Sequence, residues 1–275
     1  VASHDLRFSS EGAVQFMAAA SIRRARLEAD WLHTQADLKR HWPRPGRALI
    51  ALVHEGDQGL DAEDATDFLT ALAHLPHDHP VDVILHTHGG AATAANRIAA
   101  ALVARPNTAA FVPFYAESAG TEVALATEEV FLGKDAHLSP IDIQIEGLPA
   151  RDLVKLARKA GAEASEKLQL SARMAERMLR DEARTIDGLI HPQHKKSRIK
   201  LAKRLTGGYT YHGERLGLGE AKKLGIAVSA GVPAALYGFI GKRRAQLRQL
   251  RELEANLLCI HRREAQPAAG ATVRV

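Results

Sequence analysis

Residues 81–105 read VDVILHTHGGAATAANRIAAALVAR, and this stretch decides the fold. Its first seven residues form a short apolar run of the kind that fills a strand buried on both faces. Gly89 and Gly90 permit a tight turn, and the alanine-rich segment that follows, to about residue 105, favours a helix. The same order recurs on both sides. Residues 48–54 read as a buried strand ending in a turn at Glu55-Gly56-Asp57, and a helix is expected over 61–75. Downstream, residues 108–115 read as a third strand, 116–120 as a turn of small residues, 121–127 as a helix and 129–132 as a fourth strand. Repeated strand–helix alternation implies an α/β fold, with parallel strands joined by right-handed crossovers and all strand ends facing one side.

The flanks are helical. Residues 13–41 carry Met17, Ile22, Leu27 and Trp31 at helical spacing and are stopped by Pro43, Pro45 and Gly46. Beyond Leu148 the pattern changes to long charged helices over 150–190 and a basic segment over 194–204. A loop, Thr206-Gly207-Gly208-Tyr209-Thr210-Tyr211, and a short helix over 219–224 follow. Residues 232–263 read as a basic helix with Leu247, Leu250, Leu253 and Leu257 at three- and four-residue steps, which suits packing on the core or on another subunit. The last ten or so residues are expected to fray. This gives an N-terminal helical extension over 1–45, an α/β domain over 46–230 and a C-terminal basic helix and tail over 231–275. No repeat of 20 to 50 residues marks a solenoid.

Composition narrows the function. A chain of 275 residues with 46% hydrophobic and 25% charged residues can bury its own core, so disorder is excluded as its main state. The single cysteine, Cys259, rules out an internal disulfide framework and a cysteine-rich metal site, and suits a reducing, cytoplasmic setting. The longest apolar stretches, near 13–22 and 230–240, fall short of the roughly 18 residues of a membrane span. The opening Val-Ala-Ser-His-Asp lacks the basic and apolar regions of a secretory signal, and an initiator Met is missing. A net charge of +5 would permit weak attraction to anionic surfaces, but 5% aromatics argue against base-stacking platforms and hence against nucleic acid.

The chemistry concentrates at two strand-to-helix corners, His86-Thr87-His88-Gly89-Gly90 and Tyr115-Ala116-Glu117-Ser118-Ala119-Gly120-Thr121. Amides at such corners point outward without internal partners and can donate to an anion. Ser118, in a crowded turn at a helix N-terminus, would present its hydroxyl much as a nucleophile elbow does. Taken alone, Gly-Gly after a strand usually means only a turn, and Ser118 reads equally well as a helix cap. On consecutive strand–helix units the two are far more specific than either one.

Together with Leu138-Ser139-Pro140-Ile141-Asp142-Ile143-Gln144, Leu205-Thr206-Gly207-Gly208-Tyr209-Thr210 and Glu220-Ala221-Lys222-Lys223-Leu224-Gly225, these corners resemble the serine dehydrogenase proteinase family. That family belongs with signal-peptide peptidase A and the Clp protease proteolytic subunit in the ClpP/crotonase superfamily. The likeness runs over about 48–228 and implies a ClpP/crotonase-like domain of repeated β-α units. It further implies a serine endopeptidase working through an acyl-enzyme, and assembly as a homo-oligomer. Carried over, Ser118 would be the nucleophile, and the N–H groups of Gly90 and Ala119 would bind the oxyanion. Gly89, His88 and Asp142 would lie beside the substrate.

The general base is a separate question, because no histidine lies between His137 and His191. Relatives of the signal-peptide peptidase type use a lysine from a later helix, which makes Lys155 the leading candidate and Lys159 the second. A free lysine titrates near 10.4, so such a base must be desolvated, and the neighbours Leu153, Val154, Leu156 and Ala157 favour Lys155. The sequence departs from the family at His88, where relatives usually have proline, at Ala119 and Ser139 for glycine, and at Ile143 for proline. His88 could serve as an auxiliary base or a substrate contact, although a histidine at a strand end more often lies on the surface.

Weaker constellations imply no cofactor and no metal. His191-Pro192-Gln193-His194 lacks a third ligand, and no His-Glu-x-x-His pattern occurs. Gly213, Gly217 and Gly219 do not follow a buried strand, and no phosphate loop that could couple ATP hydrolysis is present. The basic runs 195–203 and 242–251 read first as solvated faces, and second as a peripheral membrane or partner contact. Peptides or exposed segments of membrane-associated proteins are the expected substrates. Two other readings stay open: a crotonase-like acyl-CoA hydratase or isomerase, which would use the same two amides on a thioester, and a catalytically silent oligomeric scaffold that binds peptides.

Overall fold

The computed structural model describes residues 10–145, 147–206 and 214–264. In chain order the elements are α1 (Ser10–Arg40), β1 (Ala48–Val53), α2 (Ala62–Ala73), β2 (Val81–His86), α3 (Ala92–Val103), β3 (Thr108–Val112), β4 (Tyr115–Ala116), α4 (Ala119–Leu125) and β5 (Glu129–Leu132). They continue with β6 (His137–Leu138), β7 (Gln144–Ile145), β8 (Leu148–Pro149), α5 (Ala150–Ala160), α6 (Glu166–Leu189), α7 (Arg198–Thr206), α8 (Leu218–Lys223), β9 (Val228–Ala230) and α9 (Ala235–Glu264). Two clusters divide the chain: α1 with α9 from Gly238 onward, and Trp42–Tyr237. Both terminal segments contribute to one unit.

The larger unit is built on a five-stranded parallel sheet in the order β1-β2-β3-β5-β9. Every residue of β2 and β3 is buried, which is why these strands read as apolar runs rather than as alternating ones. Phe68 of α2, Ile98 and Leu102 of α3 and Val123 of α4 belong to the same buried cluster as Val83 and Leu85. Burying each of the large side chains is worth about 1.5 to 3 kcal/mol. The Asp61 carboxylate starts α2 by accepting from the Glu63 and Asp64 N–H groups, and the Asp64 side chain reciprocates by accepting from the Asp61 N–H.

The expected third strand is broken. β3 stops at Val112, before Pro113, which has no N–H to give the ladder, and the chain resumes as β4, paired with β6 instead of β5. The fifth sheet strand, β9, escaped the sequence reading because only three residues, Val-Ser-Ala, form it. The strand–helix alternation itself is the arrangement expected, with helical segments at both ends.

In the smaller unit, Trp31 lies 4.8 Å from the Phe239 ring, and the Arg243 guanidinium sits 4.8 Å over the Trp31 indole. Gln246 Nε2 donates to the Leu27 carbonyl at 2.7 Å. Leu247 and Leu253 are buried, so the leucine steps of α9 mark a packed stripe. The Leu257 and Cys259 side chains, the basic side chains of 195–203, the Gly207–Tyr211 part of the late loop, the opening five residues and the tail from 265 lie outside the described residues. No helix among those described is long and apolar enough to cross a membrane.

His194, expected in a loop, is a buried tie in a short 3-10 turn (Pro192–Ser197). Its Nε2–H donates to the Thr127 carbonyl at 2.8 Å, and its Nδ1 accepts from the Ala227 N–H at 2.9 Å, so the ring is held as the neutral tautomer. Burial first, and the neighbouring His191, push its pKa down to about 4 despite the carbonyl. Between the unfolded value near 6.5 and that figure, the unfolded chain binds the extra proton. The His194 contribution is therefore complete above about pH 6.5 and falls away as the pH drops toward 4, by about 3 kcal/mol in all. Thermal melting of wild type against His194→Gln from pH 7 to pH 4 should show a steeper acid loss in wild type; parallel curves would contradict this assignment.

Candidate active site

The two corners are held side by side by backbone hydrogen bonds. Thr87, just beyond β2, bridges Ala116 of β4: the Thr87 N–H donates to the Tyr115 carbonyl at 3.3 Å, and the Glu117 N–H donates to the Thr87 carbonyl at 3.0 Å. The Thr87 hydroxyl accepts from the Gly89 N–H at 3.1 Å and fixes the turn that follows.

Both glycines of this turn have positive φ, 106° at Gly89 and 148° at Gly90. A Cβ at Gly89 would lie 2.8 Å from Ser118 Cβ, so glycine lets one corner pack against the other. A Cβ at Gly90 would lie 2.3 Å from the Leu60 carbonyl oxygen. Leu60 bonds the residues on either side, accepting from the Ala91 N–H and donating to the Gly89 carbonyl, both at 2.7 Å. The Gly90 N–H takes no part in that bridge and has no partner among the described residues.

Ser118 has φ 50° and ψ −118°, a strained conformation for a residue with a side chain, costing about 1 to 3 kcal/mol. Its surroundings hold it there. The Ser118 N–H donates to Ser139 Oγ at 2.8 Å, and its carbonyl accepts from the Thr121 and Glu122 N–H groups at 2.8 and 3.2 Å. Ser139 is itself fixed, its N–H donating to Thr121 Oγ1 and its hydroxyl to the Pro140 carbonyl, both at 3.0 Å. The departure from glycine at 139 thus supplies the hydroxyl that pins the corner. Ser118 makes no capping bond with its own side chain, so the helix-cap reading is set aside. Its hydroxyl and the Ala119 N–H have no partner among the described residues.

A cavity of about 670 Å³ opens at this point, lined by Ser118, Ala119, Gly90, His88, Asp142 and Glu122 among others. Of the residues singled out from the sequence, five line it and Gly89 packs behind Ser118. Lys155 does not line it. The α5 helix buries Ala150, Leu153 and Val154, and Lys155 falls on the opposite face, 63% exposed, with Nζ 3.1 Å from Asp152 Oδ1. The desolvation expected from its apolar neighbours is absent, because adjacent residues on a helix face different directions. Lys159 is likewise exposed.

His88 carries more structure than a surface histidine requires. Its Nδ1–H donates to Glu117 Oε2 at 2.6 Å, its ring stacks on Tyr115 at 4.4 Å, and His137 Nε2–H donates to Glu117 Oε1 at 2.9 Å. Burial raises the Glu117 pKa, but the bonds and charges of His88 and His137 outweigh it and hold the carboxyl below its ordinary value. With Nδ1–H engaged, Nε2 of His88 is the ring's accepting nitrogen.

The sequence reading named Asp142 but missed the other acids of the cavity. Glu122 is 2% exposed, and neither carboxylate oxygen has a hydrogen-bond partner among the described residues. Burial, and then the charge of Glu182, push its pKa up to about 8, while burial also raises that of Glu182. Glu122 was findable, since it lies four residues after Ser118 on the same helix face. Glu182 comes from α6, 60 or so residues later, and no local signal links it to the corner.

A family description, ClpP-like SDH-type serine proteinase, matches residues 58–265. Two uncharacterised proteins of Methanocaldococcus jannaschii are similar: MJ0137 is 34% identical over 69% of this chain and 68% of its own, and MJ1495 is 29% identical over 70% of each. Among solved structures, a mutant ClpP1 from Listeria monocytogenes covers 68% of this chain and 92% of its own at 18% identity and TM-score 0.42. A mutant of the 1510-N membrane-bound stomatin-specific protease covers 70% and 84% at 15% identity and TM-score 0.44.

Proposed function

The chain belongs to the ClpP-like, SDH-type serine proteinases, and from that membership we propose that it is an ATP-independent endopeptidase that forms an acyl-enzyme on Ser118. One observation carries the assignment to this residue: a strained serine shares a cavity with the amides of Gly90 and Ala119, and its hydroxyl and both amides have no partner among the described residues. In the reaction, the Ser118 hydroxyl passes its proton to a base as Oγ bonds to the scissile carbonyl carbon. The two amides donate to the resulting oxyanion, a role worth about 3 to 4 kcal/mol per donor where it has been tested. The same base returns the proton to the departing amine, and water then releases the acyl group from Ser118.

For the base we take His88, because it lines the same cavity as Ser118 and is oriented by Glu117. The Ser-Lys form, with Lys155 or Lys159, needs α5 to deliver a lysine stripped of water, and rests on the family resemblance. Paired variants separate the two. His88→Ala should lower kcat for a peptide substrate by about 10²- to 10⁴-fold, and Lys155→Ala should cost far less. A loss confined to Lys155→Ala would return the base to α5. A homo-oligomer acting in the cytoplasm on peptides, or on exposed segments of membrane-associated proteins, completes the proposal.

The acyl-CoA hydratase or isomerase reading has one observation in its favour, the two cavity acids Glu122 and Glu182. It leaves the strain at Ser118 without a use, and it predicts acyl-CoA binding that is indifferent to Ser118→Ala.

A further inference from the structure

The cavity beside Ser118 has an unbalanced lining. Glu122, Asp181 and Glu182 contribute three carboxylates, beside Asp142, which has a partner of its own, and no lysine or arginine is among the described residues of the lining. Surface acids are ordinary, but Glu122 is not at the surface: it is 2% exposed, and neither oxygen has a partner among the described residues. A carboxylate withdrawn from water without a counter-charge is costly, and it becomes favourable once a cation arrives with matching geometry. No group of three or more potential ligands among the described residues is arranged to hold a metal ion, and the cation taken to answer this charge is an organic one.

Distance says which cation. Glu122 stands four residues, hence about 6 Å along the axis of α4, from Ser118. That is close to the reach of an extended lysine or arginine side chain from its own backbone. A peptide whose scissile carbonyl sits at Ser118 would therefore place the charged tip of an adjacent basic side chain at Glu122. Glu182 would lie opposite, and the methylenes along Met178 and Ile141, which also line the cavity. We propose that this acidic recess is a specificity subsite and that the substrates of this chain carry lysine or arginine next to the cleaved bond. The inference rests on the peptidase reading for the placement of the substrate backbone.

Binding to the Ser118→Ala protein tests the subsite without turnover. Two fluorescein-labelled hexapeptide pools, one with arginine and one with the neutral isostere citrulline at a fixed third position, are titrated by fluorescence anisotropy. The arginine pool should bind about 30-fold tighter or more, and Glu122→Gln in the same background should remove that preference. If Glu122→Gln does not fold, Glu182→Gln should narrow the preference several-fold. Equal affinity for the two pools, no binding of either, or a preference that survives both substitutions overturns the inference; equal affinity would point to a cation of the chain itself as the partner of Glu122. Fluorophosphonate labelling of the Ser118-containing protein decides the peptidase reading separately. A chain that discriminates arginine from citrulline but cannot be labelled would keep the subsite and lose the peptidase.

Discussion

Ser118→Ala should reduce peptide hydrolysis by about 10⁴-fold or more and abolish fluorophosphonate labelling, with the melting temperature close to that of wild type. Activity collapses because the nucleophile acts as a unit with its base and the two amides, so removing the atom that forms the covalent bond strands the others. Stability holds because the Ser118 hydroxyl has no partner among the described residues. The bonds that maintain the corner come from its backbone, through Ser139, Thr121 and Glu122, and alanine retains them all. Hydrolysis that persists in Ser118→Ala protein free of contaminating protease would dismiss this serine as nucleophile.

Gly90→Ala should be the more damaging change for the fold. The new methyl would lie 2.3 Å from the Leu60 oxygen and 2.4 Å from its nitrogen, and both are backbone atoms that cannot rotate aside. At φ 148° the substitution is also strained by itself. Together these predict a loss of about 3 kcal/mol or more, lowering the melting temperature by roughly 6 to 12 °C for a unit of this size. The cheaper escape is for the turn to move away from Leu60, which carries the Gly90 N–H out of position. Surviving folded protein should then show kcat reduced by about 10²-fold or more while Ser118 still reacts with a small fluorophosphonate. Calorimetry and active-site titration on one sample check both halves; wild-type melting would mean that the contact with Leu60 is not as tight as described.

The parts of the fold that were legible in the sequence are those where one physical pressure acts alone. β2 is buried along its whole length and so appears as an uninterrupted apolar run, and the glycines after it mark the place where backbone meets backbone. Ser118 could be singled out because it follows the next strand in the same way. What escaped depends on partners far away in the chain. The pairing of β4 with β6 follows from Pro113 ending one ladder and from His137–Leu138 being available for another. Lys155 was placed by the apolar character of its sequence neighbours, whereas exposure on a helix is set by which residues share its face, here Ala150, Leu153 and Val154 on the buried side. Glu117 shows the same limit: its sequence position next to the serine was visible, but its double engagement by His88 and His137 requires three strand ends to meet.

The bridge between Thr87 and Ala116 bears on how such a site tolerates drift. Since the turn that carries the amide donor and the turn that carries the nucleophile both depart from this one rung, their spacing is tied to peptide geometry more than to the fit of side chains deeper inside. Substitutions that resize the interior would shift both together, as two pegs on one rail, and leave the gap between them unchanged. Sequence can then diverge widely through the interior at little cost to the reaction, and selection bears most heavily on the few residues that form the rail.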